Sequence, residues 1–71
     1  MHYRNIIANF AQIYIFELKA GDTAANALKQ IDDKSYAIPY QSDGRKVVKV
    51  GVSMNADTRT VDEWKVSNGN G

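Results

Sequence analysis

The sequence has no cysteine, a single proline and a single histidine among its 71 residues. Without cysteine there is no disulfide framework and no thiolate-ligated zinc site. With His2 alone at the N-terminus, metal binding has to rely on hard oxygen donors, which suit magnesium, calcium or manganese. An excess of charge is also missing. The net charge is +1, with both signs mixed along the chain, so there is no basic footprint for wrapping nucleic acid. Nor is there a long apolar run: the stretch from Ile6 to Leu18 is broken by Asn9, Gln12 and Glu17, too short and polar to span a bilayer. Met1 is not followed by signal-peptide regions. A soluble, cytoplasmic protein is expected. Acid is missing from one place in particular, since no Asp or Glu precedes Glu17.

What is present reads as one small domain over residues 1–66, followed by a disordered tail at 67–71. Tyr3 to Ala8 form a candidate strand and "ANFAQ" a turn. From Gln12 to Lys19 the chain is dense in β-branched and aromatic residues, the pattern of a central strand buried on both faces. Gly21 stops it, and Asp22 or Thr23 can cap a helix. In "AANALKQIDDK", Ala24, Ala27, Leu28 and Ile31 recur at helical spacing, so one face packs on a sheet. Pro39 and "SDG" mark the connection to "KVVKVGV", Lys46 to Val52. Strand, helix and strand make a βαβ unit joining parallel strands by a crossover. "MNADTR" is a turn and "TVDEWKV" a last, antiparallel strand. Trp64, the largest apolar side chain available, is expected to be at least partly buried against the sheet or a partner. The fold class is α/β (α+β), a small mixed sheet of three to four strands with one crossover helix and a C-terminal antiparallel hairpin.

Side chains alternate along a strand, so Ile13, Ile15, Glu17 and Lys19 share one face and Tyr14, Phe16 and Leu18 the other. Glu17 and Lys19 stand about 7 Å apart along the strand, near its C-terminal end, where open α/β sheets bind ligands. A carboxylate there can hold a hard cation, and the neighbouring ammonium can orient a water or steady a phosphate charge. An E-x-K triplet alone is weak, because chance supplies one in roughly one chain in five of this length. An ion pair at a strand end needs no function.

The whole string "YIFELKA…T…ALKQI…K.YA.PY…DGRKVVKVGV…TRTVDEWKV" is more specific. It resembles, from about Tyr14 to Val66, the C-terminal domain of a bacterial family in the PD-(D/E)xK nuclease superfamily, usually carried behind an ATPase-like region. The resemblance implies a partial restriction-endonuclease-like fold and metal-dependent hydrolysis of phosphodiesters in nucleic acid, with Mg2+ or Mn2+. It implies that Glu17 binds the metal, that the Leu18 carbonyl adds a ligand, and that Lys19 positions the attacking water. Gln30 resembles the glutamine that relatives aim back into the site, and Tyr36 the tyrosine after it. Their plain readings are a solvated helix residue and a core cover.

The superfamily motif begins with an aspartate about a dozen positions before the glutamate, where this chain has "MHYRNIIANF". Arg4 and Asn5 occupy that neighbourhood. The resemblance also implies an upstream helix and strand, and the domain is read as N-terminally shortened. The expectation is a catalytically incomplete nuclease-like domain. The alternative is a non-catalytic, self-associating or protein-binding domain, and uncovered sheet surface favours a homodimer.

Overall fold

A computed structural model describes residues 2–34, 38–40 and 42–68. Strand β1 (His2–Ala8) turns into β2 (Gln12–Ala20), followed by helix α1 (Ala24–Asp33), a single 3-10 turn (Ile38–Tyr40), β3 (Lys46–Met54) and β4 (Val61–Asn68). The four strands form one sheet in the order β1-β2-β3-β4. β1 lies antiparallel to β2, β2 parallel to β3, and β3 antiparallel to β4. This is the mixed sheet and crossover helix expected from the sequence. β4 runs through Ser67 and Asn68, so the strand takes up the first two residues assigned to a tail. None of the described helices is long and apolar enough to cross a membrane.

The β1–β2 turn is fixed by Asn9, whose Oδ1 accepts hydrogen bonds from the backbone of Ala11 at 2.8 Å and Gln12 at 2.7 Å. An Asn side chain imitating a backbone turn in this way sets the hairpin register. At the start of α1, Thr23 Oγ1 accepts from the Asn26 backbone at 3.0 Å, which settles the choice of cap. Asp22 supports it from outside, accepting from Asn26 Nδ2 at 2.7 Å. Glu63 of β4 reaches across to accept from the Ala24 backbone at 3.1 Å, and the Ser53 hydroxyl of β3 donates to the Asp22 carbonyl. At the other end, Lys49 of β3 pairs with Asp32. One orphan helix donor, the Ala24 N–H, is thus satisfied by a strand side chain, and these contacts tie the helix to the sheet.

Ala24, Ala27 and Ile31 of α1 are fully buried, and Ile31 packs with Ile13 and Ile15 of β2 and Val47 of β3, with Ile6, Leu28 and Tyr40 around them. Gly51 lets the helix come this close. A Cβ there would stand 2.4 Å from the Ala24 carbonyl oxygen and 2.8 Å from the Leu28 nitrogen, contacts no side chain can sustain.

β2 is central but not buried on both faces. Ile13, Ile15 and Glu17 are buried, whereas Tyr14, Phe16 and Leu18 are only half-buried. The reason is coverage: α1 shields one face, and no other described element lies over the second. Trp64 faces that second side and is 67% exposed, so the sheet of a single chain does not bury it.

Candidate functional site

The strand pairing places the charged groups. Across the sheet, Arg4, Glu17, Gly51 and Lys65 form one row, and His2, Lys19, Ser53 and Glu63 the next. Both rows point to the α1 side. Because Gly51 has no side chain, α1 settles low beside Glu17 and brings Gln30, in its second half, over the carboxylate. Gln30 Nε2 donates to Glu17 Oε2 at 3.3 Å.

Glu17 is completely buried. Its Oε2 also lies 3.2 Å from His2 Nδ1, while Oε1 is buried without a hydrogen-bond partner. A carboxylate held out of water with half its acceptor capacity unused is costly to the fold. Such an atom invites a bound group or marks a remnant of one.

Lys19 projects on the same face, with its Nζ 3.5 Å from Asp22 Oδ2. Lys19, Asp22, Asn26 and Gln30 border an open cleft of about 370 Å³ along α1, with Lys34 at its far end. Glu17 is not part of the cleft lining; Gln30 stands between. The Asp22 carboxyl is held below its ordinary range, chiefly by the hydrogen bond from Asn26, then by the Thr23 backbone and the nearby Lys19.

The structure therefore brings Glu17 and Gln30 into contact and sets Lys19 at the cleft beside them. Leu18 sits between, and pairing continues past it on both sides, through His2 with Lys19 and Lys19 with Ser53. The strands have not parted there to turn its carbonyl toward a ligand. Tyr36 lies outside the described residues. Sequence reasoning set His2 aside as a lone histidine at the N-terminus. Its side chain is exposed, but it belongs to β1 and touches Glu17. Once the turn is centred on Phe10 and Ala11, counting back along β1 finds it.

Of the two residues in the place of an upstream acid, the register separates them. Arg4 is directly opposite Glu17, whereas Asn5 pairs with Phe16 on the other face. Among the described residues, no group of three or more His, Asp or Glu is gathered to hold a metal ion. The donors at hand do not fit magnesium or manganese: one carboxylate oxygen is spare, the paired position on β1 is a basic residue, Arg4, and the neighbouring acid, Asp22, is paired with Lys19. Magnesium sheds its hydration shell reluctantly and needs carboxylate charge to compensate.

A mixed sheet with a crossover helix, an acid and a lysine spaced E-x-K at the end of the central strand, and a helical glutamine on that acid define a nuclease-like α/β domain. The family model of the PD-(D/E)XK nuclease superfamily matches residues 5–64, more than four-fifths of the chain. The chain belongs to that superfamily, whose nucleases generally use divalent metal ions. Neither a curated protein nor a solved structure matches it.

Proposed function

We propose that this chain is a nuclease-fold domain that keeps the scaffold and part of the reaction centre but does not complete a cation site, and so does not hydrolyse phosphodiesters by itself. The observation behind this reading is that Arg4 and Asn5 stand in the neighbourhood where the superfamily pattern calls for a second acid, with Arg4 at the position paired to Glu17. Two carboxylates can hold a cation between them; one carboxylate with a basic residue at the paired position of the next strand is a poor substitute, because like charge opposes the incoming cation. Glu17, Lys19 and Gln30 are then a partial site. Their remaining capacity is to hold the strand end and helix together and to offer Lys19 to an anionic partner, nucleic acid being the class that the superfamily suggests.

The test is incubation of the chain with plasmid DNA, single-stranded DNA and RNA in Mg2+ or Mn2+. No cleavage above that of a Glu17→Ala variant is expected. Cleavage that disappears in Glu17→Ala protein overturns the proposal and makes Glu17 a metal ligand.

A second reading, a self-associating domain, is favoured by a different observation. On the sheet face away from α1 the three central rows carry no charged residue. The two readings are compatible, since they concern opposite faces.

A further inference from the structure

The uncovered face has a pattern that fits a second copy of itself. Three rows cross it: Tyr3–Leu18–Val52–Trp64, Asn5–Phe16–Val50–Val66, and Ile7–Tyr14–Val48–Asn68. Besides the two tyrosines and the tryptophan, the polar residues in these rows are Asn5 and Asn68, at opposite edges of the sheet. Most charges of the same strands (His2, Arg4, Glu17, Lys19, Lys49, Glu63 and Lys65) point the other way; Lys46, opposite Gln12, and Asp62, at the β4 irregularity, lie at the two ends of this face, outside the three rows. A face built to meet a charged partner would carry complementary charge. One built to meet its own copy does best with none, because a twofold axis brings like groups near each other.

The relief of the face is also paired. Trp64, at the β4 edge, stands up 67% exposed. Toward the β1 edge lies a shallow, mainly apolar depression of about 220 Å³, bordered by Tyr3, Asn5, Ile7, Phe16, Leu18 and Val52. Knob and hollow sit in the same row. Rotation about an axis parallel to the strands reverses the strand order but keeps each position along the strands. It lays β4 of one copy over β1 of the other, with Trp64 above the hollow, twice over.

The area suffices. Four strands spaced about 4.8 Å apart and seven residues at about 3.3 Å give a footprint of roughly 440 Å² per copy. Both copies together reach roughly 900 Å² before side-chain relief is counted, close to the roughly 1,000 Å² that a specific interface requires.

We propose that two copies of this chain pack face to face through the uncovered sheet surface, aligned as in a β-sandwich, with Trp64 of each seated in the hollow beside Tyr3 and Leu18 of the other. Aligned sheets pack at about −30°, so the pairing needs no distortion of the strands. This rests on the self-associating reading and is independent of catalysis.

Trp64 is the chain's single tryptophan, so its fluorescence reports on this surface alone. The full chain is diluted from high micromolar to nanomolar concentration, with emission and sedimentation followed together. The expected result is a mass twice the 7.9 kDa of the chain at the upper end, with blue-shifted emission that moves red as the mass falls. Trp64→Lys, with unchanged far-ultraviolet circular dichroism, loses the dimer. Val66→Lys serves as the second variant if the first does not fold. A dimer whose Trp64 emission stays solvent-like overturns the proposed surface while leaving self-association standing. A monomer at every concentration overturns both.

Discussion

The two faces of this sheet are made from the same strands and have opposite chemistry. The side under α1 is tightly packed and charged: Ile13 and Ile15 at its centre are fully buried, with Arg4, Glu17 and Lys19 at one end. The other side has no described element over it and is apolar, with Tyr14, Phe16 and Leu18 half-covered and Val48 and Val50 buried among their neighbours. Function in a nuclease fold needs the charged end of the closed face, whereas stability needs its centre, and the two are one residue apart in β2. Glu17 continues the buried stripe of Ile13 and Ile15. The fold therefore seals the carboxylate as though it were core, and Gln30 and His2 answer only one of its oxygens.

Neighbouring residues give the sharpest contrast. Ile15→Ala removes a fully buried side chain and should cost about 3 kcal/mol or more. Phe16→Ala, one position along but on the open face, should cost clearly less in the dissociated chain. Urea denaturation at low concentration measures both. Equal losses would mean the open face is packed within a single chain.

Glu17→Met comes next. Replacing a buried carboxylate that has an unpartnered oxygen by an apolar chain of similar length should leave stability unchanged or raise it by about 1 kcal/mol. A loss of more than about 2 kcal/mol would mark the carboxylate as a structural keystone instead.

The smallest effect belongs to the edge of the closed face. The Asp22 carboxyl is held below its ordinary value, first by Asn26 and then by the Thr23 backbone and Lys19. A depressed folded value means the contribution is complete above the ordinary carboxylate range and fades as pH falls through the lower, folded one. Acid should thus loosen the start of α1 slightly, and Asp22→Asn should flatten that part of the pH–stability curve. An unchanged curve would show that the Asn26 contact carries nothing.

The closed face was largely legible beforehand. The stripe Ile13, Ile15, Glu17 and Lys19 follows from strand alternation, and the helix face of Ala24, Ala27 and Ile31 from helical spacing. Thr23 was one of two candidate caps. What was not legible depends on which strand lies beside which. The contact between His2 and Glu17 needs the β1 register, and that hangs on how Asn9 closes the turn. Arg4 and Asn5 are adjacent in sequence and look interchangeable until pairing sends them to opposite faces. Trp64 reads as core by size and alternation, yet none of the described elements covers it, and β-strand pattern alone does not say which face is covered. Ser67 and Asn68 resemble a tail by composition, but pairing with Lys49 and Val48 holds them in β4.

The central claim, that Glu17 and its neighbours do not form a cation site, is tested most directly by isothermal titration calorimetry of Mn2+ into the full chain, beside Glu17→Ala. The account predicts no saturable heat in either protein up to millimolar metal. Micromolar binding by the original chain that vanishes in Glu17→Ala would contradict it, and would mean that the spare oxygen of Glu17 overcomes the positive charge of Arg4 and Lys19.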